Sequence, residues 1–261
     1  MAWPLRDDDG AADGLGAERA TALTVVPGGR LRRSRRRVPW FSGTVLGLFA
    51  LTGLLGPFVA PYDQQEINLA ESLQPPLLWG GTWRHPLGTD DLGRDILSRL
   101  IFGNRVAMLV SLAVVVIAGF IGVVIAIVAG YRGGRLDSFL MRTTDAALAF
   151  PVLLFAIVWV ATFGVSTRNV VIILALAFWP SYARVLRSEV LRVKTMDFVT
   201  MSRTMGAGGP WVVWRHVLPN SLTPVITFLP FRMSGAILAL TSLDFLGLGV
   251  PSSVPSLGEL L

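Results

Sequence analysis

The chain has 261 residues, of which 52% are hydrophobic and only 15% charged, a balance too apolar for an ordinary soluble domain. It contains no cysteine, which excludes a disulfide framework, a thiolate metal site and thiol catalysis. The net charge of +6 is basic, but the arginines adjoin apolar stretches instead of alternating with aromatics along one face, so membrane topology rather than nucleic-acid binding accounts for it.

Residues 1–29 are polar and without sustained period, and with the arginine block at 30–37 they predict a disordered, basic cytoplasmic tail over 1–39. Ser34-Arg35-Arg36 resembles a twin-arginine export signal, but neither a cleavage site nor a soluble domain follows. Residues 40–59 supply a first span of roughly 30 Å, closed by Pro57 and Pro61. Residues 60–105 are polar and rich in Pro and Gly, as befits an external segment. Within it Thr89, Asp90 or Asp91 can cap a helix whose Leu92, Ile96, Leu97, Leu100 and Ile101 share one apolar face, predicting a helix along the outer interface. His85 with Asp90, Asp91 and Asp95 offers metal-type ligands, but there is no second histidine nearby, and turn chemistry and capping explain the same residues; no metal is expected.

A second span covers 106–130, with Gly119, Gly122 and Gly130 placed to let a neighbouring helix approach. An inner loop with Arg132, Arg135 and Arg142 follows, then a third span at 146–164, a short external turn at 165–169, and a fourth span at 170–183 with Pro180 as a kink. The fifth span, 221–243, is interrupted by Pro224 and Pro230. It carries Arg232 about half a span from either end, too deep to snorkel, which points to a pathway or a subunit interface.

The longest non-membrane insertion after the second span is 184–220. Thr195 or Asp197 can cap a first helix there, with Phe198, Met201 and Met205 at spacings of three and four, and the run from Gly206 to Pro210 cannot continue it. Pro210 suits the first turn of a second helix, which ends at Leu218-Pro219. By periodicity alone, an amphipathic loop on the lipid surface is an equal alternative.

This pattern resembles the cytoplasmic coupling loop of ATP-binding-cassette importer permeases. Thr200, Met201 and Ser202 stand where that family has Glu-Ala-Ala, Gly206 and Ala207 stand at its glycine step, and Leu218-Pro219 at its Leu-Pro. The missing acidic residue is a departure, removing a charge that family members can use at the ATPase surface. The external run with His85, Gly88, Asp90, Gly93, Arg94 and Asp95 resembles the C-type subunit of dipeptide and oligopeptide importers, and the last residues resemble its FLGLG and PSWG segment, with Leu257 in place of tryptophan. Relatives continue into a sixth span; a truncated form and a dispensable sixth span both stay open.

The resemblance implies an all-α, polytopic membrane protein of the type I importer permease fold, with five spans here and the coupling loop inside. It implies a second permease forming a heterodimer, two ATP-binding subunits that hold ATP and Mg, and an extracytoplasmic binding protein delivering short peptides, in a bacterial plasma (inner) membrane among its lipids. Nickel complexes or another small solute are alternative cargoes. This chain has no G-x-x-x-x-G-K-[ST] loop, so it is not itself an enzyme, and no cofactor is expected in it. By this topology 17 basic residues are cytoplasmic, 5 external and one within a span, a bias that sets the N-terminus inside. A secondary transporter is disfavoured because no Asp, Glu or His falls within the apolar stretches; a non-transporting scaffold remains the other rival.

Overall fold

The structure, a computed structural model, describes residues 40–251 and 253–260, so the tail expected at 1–39 lies outside the described residues. Helix α1, Trp40–Val59, is apolar throughout and carries Pro57 in its last turn. Two short 3-10 turns, Leu69–Glu71 and Leu77–Trp79, shape the polar segment after it.

Helix α2, Ile96–Arg132, runs 37 residues without a proline, about 55 Å at 1.5 Å per residue, and ends at Gly133. This corrects the expected interface helix, whose Ile96, Leu97, Leu100 and Ile101 are the first turns of the spanning helix itself. The cap is corrected too. Asp95 receives the Ser98 N–H at 2.8 Å, while Asp90 is held by Arg94 and Arg99 and Thr89 by the backbone of Gln74 and Glu71. A carboxylate already committed to two arginines is no longer available to a helix end.

Helix α3, Gly134–Ala149, and helix α4, Val152–Phe163, meet at an 84° bend, so the third span is not one straight helix. Pro151 lacks an N–H and pushes Phe150 to extended backbone, which breaks the run there. Helix α5, Thr167–Lys194, starts from a Ser166 cap and continues eleven residues beyond the expected end at 183. Arg184 and Arg187 do not stop it. They reach sideways to Asp145 and Asp137 on α3. After the short helices that follow α5 comes helix α9, Thr223–Phe245, unbroken although Pro224 sits in its first turn and Pro230 inside it. Among the described residues, four helices are long and apolar enough to cross a membrane, or five if the bent pair is one span.

The centre of the bundle is the α2–α5 pair. A Cβ on Gly122 would stand 2.5 Å from Tyr182 Cβ, and one on Gly130 would stand 2.7 Å from Val190 Cγ1, so these glycines set the helix separation. Val114 and Ala118 of α2, Ile173 and Leu174 of α5 and Leu240 of α9 are buried in one cluster. Asn104 ties α1 to α2 by donating to Phe49 O at 2.8 Å and Thr52 Oγ1 at 2.6 Å. The segment after α9 folds back over the N-terminal end of α2, where Leu257 lies against Gly103 and Glu259 pairs with Arg99 at 3.0 Å.

Candidate functional site

Between α5 and α9 the chain forms helix α6, Asp197–Thr204, helix α7, Gly209–Val212, a π turn, Val213–Val217, and helix α8, Leu218–Ser221. Neither Thr195 nor Asp197 caps α6. The N-cap is Met196, with no side-chain bond; the Thr195 hydroxyl instead donates to Arg192 O at 2.9 Å, and Asp197 lies inside the first turn, where a carboxylate favours the helix dipole.

Val199 is the buried residue of α6. It joins Val190, Val193, Val212 and Val217 in a small separate core, with Ile127, Tyr131 and Ala207 packed against it. Each fully buried valine contributes roughly 1.5 kcal/mol or more, so the loop has a base of its own. Opposite that base, Phe198, Met201 and Met205 are 39%, 64% and 82% exposed. Thr200 is exposed as well, whereas Ser202 turns inward, donating to Phe198 O at 2.7 Å and lying 3.2 Å from His216 Nε2. The structure therefore divides the expected triplet between two faces.

Gly206 ends α6 with φ +85°, a left-handed conformation open to glycine and costly for most residues, and Ala207 then directs its N–H to Ser202 O at 3.0 Å. Pro210 is in the first turn of α7. The expected stop at Leu218-Pro219 does not occur. The Leu218 N–H reaches back five residues to Val213 O, and that widened turn places Pro219 in the opening turn of α8, where its missing N–H and its ring are tolerated.

The loop is joined to the end of α2. Lys194 Nζ donates to Tyr131 O at 2.6 Å and Gly130 O at 3.3 Å, serving the unpaired carbonyls there. Arg203 stacks over the Tyr131 ring at 4.8 Å. Glu71, Arg99, Glu259 and Tyr131 were not singled out from sequence, because their partners lie far along the chain.

On the opposite side, the polar segment is locked by ion pairs. His85 Nδ1 is 3.0 Å from Asp95 Oδ1 and its Nε2 is 3.2 Å from Glu71 Oε2, with the Tyr62 ring 4.8 Å away. Burial disfavours the charged imidazole, but the hydrogen bonds to Asp95 and Glu71 outweigh it and raise the His85 pKa above 6.5. Asp90 accepts from Leu92 N, Arg94 N and Nε and from Arg99, and these contacts, against burial, hold its pKa below 3.8. Gly93 has φ +73°, and a Cβ there would meet Asn68 O at 1.8 Å; Gly88 lies against Gln74 O, and its own carbonyl receives the Ile96 N–H. Tyr62, Glu66, Glu71, Arg84, His85 and Asp95 line a cleft of about 320 Å³ here. Glu71 and Asp95 are both engaged with His85, and no group of three metal ligands occurs among the described residues.

Arg232 lies nine residues into α9, half-buried, with its guanidinium carbon 5.6 Å from the Tyr182 ring centre. A charge at such depth costs about 2.5 kcal/mol or more in lipid, and a cation–π contact returns only about 0.5 to 2 kcal/mol.

The family described as "Binding-protein-dependent transport system inner membrane component" matches residues 122–261, and the "N-terminal TM domain of oligopeptide transport permease C" matches residues 30–76. The dipeptide transport system permease protein of Haemophilus influenzae is 38% identical over 252 residues, 92% of this chain and 84% of that protein. The chain belongs to this permease family. The di/tripeptide transport system permease protein of Pseudomonas aeruginosa is 41% identical over 82% of this chain and 71% of its own length. A solved structure of the MetNI methionine ABC transporter in inward-facing conformations aligns with 62% of this chain and 77% of that one, at 18% identity and a TM-score of 0.48. The resemblance to peptide-importer permeases read from the His85 to Asp95 run and the Gly206 break is thus borne out. The protein is a multi-pass inner-membrane permease, a component of a transport system whose ATPase site resides on other subunits.

Proposed function

We propose that this permease is one of two different transmembrane subunits of an ATP-driven importer of short peptides, and that α6 is its handle for an ATPase. The observation carrying the reading is the build of α6: a helix fixed through Val199 to its own small core, with Phe198, Met201 and Met205 uncovered on the far side. Such a stripe suits a groove on a partner protein, and its rigid base lets force pass to α5 and α9. Relatives named as dipeptide and di/tripeptide permeases support short peptides as the cargo.

On this reading α6 and the N-terminus are cytoplasmic, and the polar 60–95 segment with the tail after α9 faces outward to receive a binding protein. ATP binding closes two ATPase subunits, which draw the α6 helices of the two permeases together and tilt their bundles. ATP and Mg are held by those partners, and this chain contributes no cofactor site of its own.

The test is co-expression with a second permease, an ATPase and a binding protein of the same transporter class, followed by peptide uptake into proteoliposomes. ATP-dependent accumulation that stops when this chain is omitted supports the reading. A complex that assembles with the ATPase but never moves peptide refutes the cargo, and a chain that captures no ATPase refutes the handle.

A further inference from the structure

Arg232 shares a crevice of about 10 Å³ with Ser181, Tyr182, Val185, Val225 and Phe228, between α5 and α9. That is room for about one water-sized atom. Two hydrogen-bond donors face this space without acceptors: among the described residues the Arg232 guanidinium has no ion pair or hydrogen bond, only the Tyr182 ring contact, and the Ser181 hydroxyl has no hydrogen bond. Tyr182 adds a buried hydroxyl that also lacks a partner, the other walls are apolar, and no carboxylate of the described residues is paired with Arg232. The acidic groups on α3 and α5, Asp137, Asp145 and Glu189, are taken by Arg187, Arg184 and Arg192.

We propose that Arg232, assisted by Ser181, is a binding point for a carboxylate of the cargo as it passes along α9. The chemistry is complementary on three counts. A guanidinium is the side chain best matched to a carboxylate, and it keeps its proton at depth. The crevice admits one oxygen and no more, so it takes the end of a ligand while the rest lies outside. The outer surface of α9 supplies the place, because Ile226, Phe231 and Leu238 around Arg232 are each about 70% exposed in this chain. Every unmodified short peptide carries one such group at its C-terminus. The proposal rests on the peptide-import reading and sharpens it: cargo with a free terminal carboxylate is preferred over the same cargo with that charge removed.

The experiment uses the complete importer in proteoliposomes, with radiolabelled dialanine and dialanine amide as probes, and compares each variant with wild type for each peptide separately, so that the binding protein's own preference cancels. Replacing Arg232 by Gln is expected to lower dialanine uptake about tenfold or more and to leave amide uptake within about twofold. R232K, which keeps the charge, retains most dialanine uptake, and S181A gives a smaller loss of the same kind. Equal losses for both peptides, or none for either, overturn the proposal. So does loss of the second permease on co-purification of R232Q, which would assign the missing carboxylate to that subunit. If wild type imports neither peptide while its ATPase is assembled, the peptide reading itself fails, an outcome visible before any variant is compared.

Discussion

Arg187 closes on both carboxylate oxygens of Asp137, at 2.5 and 2.6 Å, and so fastens α3 to the stretch of α5 that leads into α6. The pair is bidentate and mostly shielded, with side-chain exposures of 30% and 15%. Its guanidinium holds the Asp137 carboxyl below the usual 3.8, despite some burial. The pair's stability is therefore complete above the unfolded value of 3.8 and is lost as pH falls through the lower folded value. D137N is expected to destabilise the purified permease by about 1 to 3 kcal/mol at neutral pH and to remove this acid-dependent component. Thermal unfolding in detergent at neutral and acid pH reads both effects. An unchanged unfolding temperature at neutral pH would rule the clamp out.

Gly206→Val places a β-branched residue at φ +85° with no contact to relieve it, since nothing lies within 4 Å of its Cβ. The strain is local, about 1 to 3 kcal/mol, and acts on the angle at which α6 leaves the loop. Membrane insertion and pairing with the second permease should persist while ATP-driven uptake falls at least tenfold. Gly206→Asn, which tolerates this backbone, should recover part of it. Full uptake by the valine variant would remove Gly206 from coupling.

The chain has no cysteine, so a single introduced one reports without background. M201C and M205C on the open face of α6 should crosslink to the ATPase with high yield, and S202C, turned toward His216, with clearly lower yield. A ranking with Ser202 first would mean that the docked face is not the one left open.

His85 lies between Glu71 and Asp95, and its raised pKa sets the sign of a pH effect. The stabilisation is fully present below the ordinary 6.5 and is lost as pH rises through the raised folded value. Hydrogen exchange over residues 60–95 should quicken across that rise, and H85Q should flatten the dependence. A wild-type profile without pH dependence would contradict the assignment.

Gly122→Val forces a side chain into a space where even a Cβ would stand 2.5 Å from Tyr182 and 3.0 Å from Ala183 N. Backbone is the obstacle, so α2 and α5 must separate, at a cost of about 1 to 3 kcal/mol or more. Yield of folded, detergent-stable protein should drop sharply, whereas Gly119→Ala, with only Tyr182 Cε1 at 4.0 Å, should be mild. Equal behaviour of the two would argue against the tight α2–α5 contact.

How much was legible in the sequence follows the range of the interactions. The apolar runs, the Gly206 break and the place of Pro210 depend on neighbours in sequence and were readable. The capping of α2 was not, because Asp90 is claimed by Arg99 nine residues on, and Arg99 in turn by Glu259 at the far end of the chain. The continuation through Pro219 depended on a π turn that composition does not signal. The face of α6 was ambiguous for a different reason: Phe198, Met201 and Met205 mark a stripe, but whether it is covered was decided by four valines from outside α6 choosing Val199 instead. The bend at Pro151 had its local cause in plain view, and only its angle required coordinates.

Helix α2 touches both ends of the bundle, with Arg99 in the ion-pair network around Asp90 and Glu259 and Tyr131 beneath Lys194 and Arg203. A stiff rod of this length acts as a tiller: turned by about 10° at one tip, it swings the other through roughly 10 Å. On the reading that α6 takes the stroke of an ATPase, a small movement there is thereby magnified at the opposite end of α2, without any flexible relay along the way.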